Sequence, residues 1–103
     1  MPEKRQFVTA CGKVSSDTPV AFESGERKIA VYKVKDTFYA TDNVCPHAFA
    51  LMTDGFVEGD TVECPLHGAI FHIPTGKCMA APAESDLKTY PVKVEDDRVF
   101  VDL

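Results

Sequence analysis

The stretch KIAVYKVKDTFYAT, residues 28–41, decides the fold. It contains two runs, Lys28 to Val34 and Thr37 to Thr41, rich in β-branched and aromatic residues and partly alternating in polarity, as strands with one buried face require. Only Lys35-Asp36 separates them, a connection that suits a two-residue hairpin. Working outward, short strands are expected at Gln6–Ala10, Val20–Phe22, Gly55–Val57, Thr61–Cys64 and Ala69–His72. The C-terminal end supplies a second hairpin, TYPVKV (89–94) and RVFVD (98–102), joined by Glu95-Asp96-Asp97. Turn signals at Ser24-Gly25, Glu58-Gly59-Asp60 and Pro74-Thr75-Gly76 punctuate the chain as they do in all-β domains. No segment keeps a helical apolar period, and there is no repeat or linker. The expectation is one all-β domain over residues 1–103.

The composition agrees. At 103 residues the chain has the length of one domain with a modest core, and 45% apolar with 26% charged residues excludes disorder. The opening MPEKRQFVTACGKV lacks the apolar core of an export signal, and no run approaches membrane-spanning length. A cytoplasmic protein with no membrane partner is expected. In a reducing compartment its four cysteines do not form structural disulfides. The net charge of −5 argues against nucleic acid. Between Asp36 and Gly76 stand six acids (Asp36, Asp42, Asp54, Glu58, Asp60, Glu63) and no Lys or Arg. Such a stretch is either a plain solvated face or a surface that steers a positively charged partner.

That acid-only window contains two matched pairs. Cys45-Pro-His47 and Cys64-Pro-Leu-His67 lie sixteen residues apart, each cysteine followed by proline. Both pairs fall on loops beside short strands, a placement suited to a metal site at one end of a β scaffold. Thiolate and imidazole are ligands for zinc and for iron alike. Zinc fingers usually place both cysteines on one side and both histidines on the other, whereas each loop here offers one of each. Cys11 and Cys78 have no partner pattern and read as small packing residues.

A cluster of two irons can use this arrangement, with both cysteines on one iron and both histidines on the other. Here the chain resembles the Rieske proteins, whose signature is C-x-H, a spacer of similar length, then C-x-x-H. The resemblance extends to Gly68, Phe71, Thr75-Gly76 and the Pro82-Ala83 pair that resembles a third, cluster-covering loop. It is closest to the small ferredoxins of bacterial aromatic-ring-hydroxylating dioxygenase systems, including the TYPVKVE ending. It implies a Rieske-type antiparallel β-sandwich with a cluster-binding loop subdomain at about residues 43–83. It also implies one 2Fe-2S cluster on Cys45, His47, Cys64 and His67, and no catalytic residues. The implied role is a monomeric one-electron carrier between a flavin-containing ferredoxin reductase and a terminal oxygenase of aromatic hydrocarbon catabolism. A catalytic Rieske oxygenase would need a second iron site, and His72 is the only spare histidine. The alternatives are a ferredoxin of another reductase or oxidase chain and a structural zinc module.

The resemblance also bears on potential. Respiratory relatives carry a disulfide between the two loops at the positions of Ala50 and Leu66, and hydroxyl donors to the cluster sulfurs at those of Ala69 and Phe71. All four groups are missing here, which implies a potential of roughly −150 mV, the low end of the Rieske range. Phe49, Leu51, Met52 and Leu66 are either cluster shields or ordinary core; Tyr32, Phe38, Tyr39 and Phe100 read as core. His72 stands where the family often has Asp, and a fifth-ligand role for it conflicts with an already complete set of four.

Overall fold

A computed structural model describes residues 5–46, 50–66, 68–80 and 85–103. The strands run β1 (Arg5–Ala10), β2 (Val20–Ser24), β3 (Arg27–Val34), β4 (Thr37–Asp42), β5 (Phe56–Glu58) and β6 (Thr61–Glu63). They continue as β7 (Ile70–His72), β8 (Cys78–Ala80), β9 (Thr89–Tyr90), β10 (Val92–Glu95) and β11 (Arg98–Asp102). All pairings are antiparallel, in three sheets ordered β1-β11-β10, β2-β3-β4-β9 and β5-β6-β7-β8. Among the described residues no helix is long and apolar enough to cross a membrane.

The sheet β2-β3-β4-β9 lies between the other two, and β3 shows why. Ile29, Ala30, Val31 and Tyr32 are all buried, so the strand has no solvent face. Period-two geometry divides these residues between two cores. Ile29 and Val31 join Ala40, Tyr90, Val99 and Val101 against the β1-β11-β10 sheet. Ala30 and Tyr32 point the other way, into a core with Met52, Val62, Phe71 and Ile73 from the third sheet and the turns around it. Tyr32 is buried there because its hydroxyl donates to Thr41 Oγ1 (2.9 Å), which in turn donates to the Asp42 carbonyl (2.8 Å). Burial pushes the Tyr32 phenol well above its ordinary pKa.

Both expected hairpins form. Lys35 takes a left-handed φ of 57°, and Asp96 and Asp97 take 50° and 61°, as a two-residue turn of the primed type demands. The stretch TYPVKV, expected as one strand, is two. Pro91 has no N–H to give a ladder, and the chain changes sheets there: β9 pairs with β4, while β10 pairs with β11. Strand β8 was not anticipated, because Cys-Met-Ala carries no β-branched residue; pairing to β7, through a bulge, imposes its conformation. Phe38 and Tyr39 pack at the margins of the two cores. Phe100 does not join either: it stacks edge-on with Phe7 (5.8 Å between centroids) on the outer face of the first sheet.

Candidate metal centre

Cys45 and Cys64 are both buried, at 2% and 1% exposure, each at the base of a loop leaving a strand end. The two loops are closed in the same way. The Cys45 N–H donates to the Ala50 carbonyl (2.9 Å) and the Cys64 N–H to the Ala69 carbonyl (2.7 Å), five residues on in each case. Pro46 and Pro65 follow the cysteines, fixing φ where each loop departs. A bridge between Val44 and Leu51 further narrows the first loop. Thus two segments that are remote in sequence bring their buried thiols close to each other in one core cluster.

Burial pushes the Cys64 thiol up; the Leu66 backbone N–H opposes the shift, and the adjacent Cys45 adds to it. Two thiolates side by side in such a core repel each other and lack solvation, a cost that a shared cation removes. The donor chemistry of the described half of the site therefore fits a thiolate-bound iron. His47 and His67 lie outside the described residues, as do Phe49, Pro82 and Ala83. Among the described residues no three metal-ligating side chains converge, so the pair of thiols is what the structure brings together.

The supports of the first loop were not legible beforehand. Asn43, only 2% exposed, accepts from the Thr53 N–H at Oδ1 (2.9 Å) and donates from Nδ2 to Thr53 Oγ1 (3.1 Å). Its own N–H donates to the Lys28 carbonyl (2.7 Å), and its carbonyl accepts from Met52 (2.6 Å). One buried amide thus ties the strand entering the loop to the turn leaving it. Replacing Asn43 by Ala leaves the Thr53 N–H without its acceptor, and a loss of about 1–3 kcal/mol in urea unfolding is expected. A Ser at this position, keeping one acceptor, is expected to recover part of the loss.

The segment after the third loop is stitched to both neighbouring sheets. The Leu87 N–H donates to the Gly76 carbonyl (2.7 Å), the Cys78 N–H to Asp86 Oδ1 (2.8 Å), and the Asp42 N–H to the Lys88 carbonyl (2.8 Å). Gly76 combines a φ of 74° with such close approach that a Cβ would lie 2.1 Å from the Leu87 carbonyl oxygen, so only glycine fits. Asp86, Leu87 and Lys88 thereby line a cleft with Val44, Cys45 and Pro46, directly beside the first thiol. Tyr90 donates to Asp42 next to this cleft; burial and then the Asp42 carboxylate push its phenol up to about 12.

Ala69 and Phe71 have no exposed surface and share the core cluster of Cys45 and Cys64. Met52 is equally buried, whereas Leu51 (37%) and Leu66 (45%) are exposed at the loops, so these three apolar candidates are not one class. Ala50 packs at the edge of that core. His72 has both ring nitrogens engaged, Nδ1 with Thr75 Oγ1 (2.9 Å) and Nε2 with Asp60 Oδ2 (3.1 Å), so it braces two turns. Cys11 and Cys78, expected as packing residues, lie half-buried, Cys11 against the core on the β1-β11-β10 sheet and Cys78 against the core that contains Cys45 and Cys64.

Comparison with known proteins completes the description. The chain matches the Rieske [2Fe-2S] domain over residues 4–91. It is 49% identical over 77 residues to the ferredoxin component of a naphthalene 1,2-dioxygenase system from Pseudomonas aeruginosa, covering 75% of this chain and 74% of the relative. Its structure is similar to that of the Sphingomonas yanoikuyae B1 ferredoxin, with a TM-score of 0.92 and 38% identity over 97% of this chain and 99% of that one. A ferredoxin-containing complex of reduced oxygenase and oxidised ferredoxin in carbazole 1,9a-dioxygenase matches with a TM-score of 0.91 and 33% identity, covering 95% of this chain and 92% of that one.

Proposed function

The chain belongs to the Rieske [2Fe-2S] domain family, and on that premise we propose that it is the electron-carrying ferredoxin of an aromatic-ring dioxygenase system. It receives single electrons from a flavin-containing reductase and delivers them to a terminal oxygenase. Relatives that are ferredoxin components of such systems support the carrier role, as opposed to catalysis on an organic substrate. The observation on this chain that carries the reading is the pair of buried, adjacent thiols at the bases of two matched loops. Cys45 and Cys64 would hold one iron of the cluster and His47 and His67 the other, within a cluster-binding part at about residues 43–83.

The cluster supplies a one-electron couple. This ligand set gives it zero formal charge when oxidised and −1 when reduced, against −2 and −3 for four thiolates, so histidine ligation raises the potential above that of plant-type ferredoxins. The protein's part is shielding and access. Met52, Phe71, Ala69 and Leu87 exclude water from the thiol side. Exposed Val44, Leu51 and Leu66 form an apolar rim against which a partner can approach closely. The carrier works as a cytoplasmic monomer. Reconstitution tests the reading: NADH-driven oxygenation by a terminal oxygenase and a flavoprotein reductase should require this protein. Absence of electron transfer from the reduced protein to the oxygenase would refute it.

The acid-only stretch predicts how encounter depends on salt. Reduction by the reductase should slow as ionic strength rises past ~0.1 M, where the Debye length falls below about 10 Å. Asp54→Lys and Glu58→Lys should weaken encounter more than Glu95→Lys, because Glu95 lies in the first sheet, across the middle sheet from the thiols. Stopped-flow rates over a salt series read this out. Equal effects at the three positions would reduce the acidic face to a solvated surface.

A further inference from the structure

The sheet β5-β6-β7-β8 has one face in the core and one in solvent. Val57, Val62 and Phe71 are cross-strand partners and fill the inner face. The alternate residues therefore form the outer face, with Phe56, Glu63 and Ile70 in one cross-strand row and Glu58, Thr61 and His72 in the other. Phe56 is 66% exposed, the most exposed large apolar side chain among the described residues. It lines a shallow groove with Val57, Glu58, Thr61, Glu63 and Ile70.

Charge and position set this groove apart. Asp60, in the β5–β6 turn, has a hydrogen-bond partner in His72 Nε2 (3.1 Å), whereas neither Glu58 nor Glu63 forms an ion pair among the described residues. Within the chain segment that builds the groove there is no Lys or Arg to compensate them. The row Phe56–Glu63–Ile70 is also the one nearest the thiols, since β6 runs directly into Cys64 and β7 begins one residue after Ala69. The Glu63 carboxylate reaches over the second loop, its Oε2 3.4 Å from where a Cβ on Gly68 would stand. Two apolar side chains on either side of Glu63, with Glu58 beside Phe56 on β5, are complementary to apolar side chains interspersed with Lys or Arg.

We propose that this groove anchors the terminal oxygenase, which sets apolar residues against Phe56 and Ile70 and basic residues opposite Glu58 and Glu63. The inference rests on the carrier role above. It goes further by assigning affinity to the flank of the second loop, separate from the rim through which the electron leaves.

The test is stopped-flow electron transfer from the reduced holoprotein to a terminal oxygenase that it supports in the reconstituted assay. Variants are Phe56→Ser and the double Glu58→Gln, Glu63→Gln; controls are Phe7→Ser, another exposed phenylalanine on the first sheet, and Glu95→Gln. Each groove variant should lose about tenfold or more in the second-order rate constant, the scale of losing one interface anchor. For Phe56→Ser the limiting rate at saturating oxygenase, the visible spectrum and the midpoint potential should stay unchanged; the Glu double variant should flatten the salt dependence, with its loss in the concentration dependence of the rate. Because the two glutamates are polar surface groups, their variant decides the matter even where Phe56→Ser folds poorly. Groove variants within twofold of the controls would overturn the proposal. So would a loss confined to the reductase reaction, or a self-association in solution that Phe56→Ser abolishes. A loss with both partners would uphold it. A wild-type protein that transfers no electron to the oxygenase fails the carrier role instead, before any variant is compared.

Discussion

Replacing Cys45, His47, Cys64 or His67 by alanine should give colourless protein without a cluster, while Cys11→Ser and Cys78→Ser should retain it. The wild type should contain two irons and two acid-labile sulfides per chain, and its reduced form an EPR signal. The structure adds which part of the molecule fails. Each loop is closed by a backbone hydrogen bond, Cys45 to Ala50 or Cys64 to Ala69, that does not involve the thiol. The middle sheet and its packing on the first sheet rest on Ile29, Val31, Val99 and Val101, remote from the loops. The alanine variants should therefore keep their far-ultraviolet circular dichroism and lose visible absorption, with proteolytic sensitivity rising at the two loops. Cys11 serves as a remote control because it packs against the core on the first sheet, and Cys78 as a near one because it packs at the edge of the core that contains Cys45 and Cys64. Stoichiometric zinc without iron in the purified wild type would overturn the assignment.

The second large effect concerns potential. A hydrogen bond to a cluster sulfur strengthens when the cluster gains an electron, because the acceptor becomes more negative. If one hydroxyl favours the reduced form by about 1 kcal/mol, a one-electron couple rises by about 40 mV. Ala69→Ser and Phe71→Tyr should each raise the potential, and the double variant should stand about 80 mV above the wild type if the two effects add. Burial makes this a sharp test. Both positions are fully enclosed, in the same core as Cys45 and Cys64. A hydroxyl placed there either finds a cluster acceptor or stays unsatisfied at about 1–3 kcal/mol. A raised potential at unchanged stability is the expected result by protein-film voltammetry and thermal unfolding. An unchanged potential with lowered stability would show that these side chains do not reach the sulfurs. A carrier so altered holds its electron more tightly, and coupled turnover with a low-potential oxygenase should fall.

The physics that made parts of this protein legible in advance is local. The hairpin at residues 28–41 was readable because side-chain alternation and a two-residue connection are properties of neighbouring residues. Of the two Cys/His boxes, the spacing singled out the cysteines that the structure buries in one core, Cys45 and Cys64, because residue type and spacing are local properties. The break at Pro91 was available from the missing N–H, but its consequence was not: that the chain changes sheets there depends on two partners, β4 and β11, distant in sequence.

Other features exist only in three dimensions. Asn43 is an ordinary polar residue in the sequence; its role as clamp arises because Thr53 and Lys28 come to it. Gly76 reads as a turn glycine, and its requirement comes from the Leu87 carbonyl that returns from eleven residues further on. Phe56 and Phe71 are alike in composition, yet one stands in solvent and the other in the core, because β5 and β7 present opposite faces at those positions. The sequence by itself determined the all-β class, the proposed ligand set and the acidic bias, since these follow from residue type and spacing. Only the tertiary structure decided that two thiols nineteen positions apart are buried in one core, and which acids and aromatics flank it, because burial and cross-strand register are set by non-local pairing.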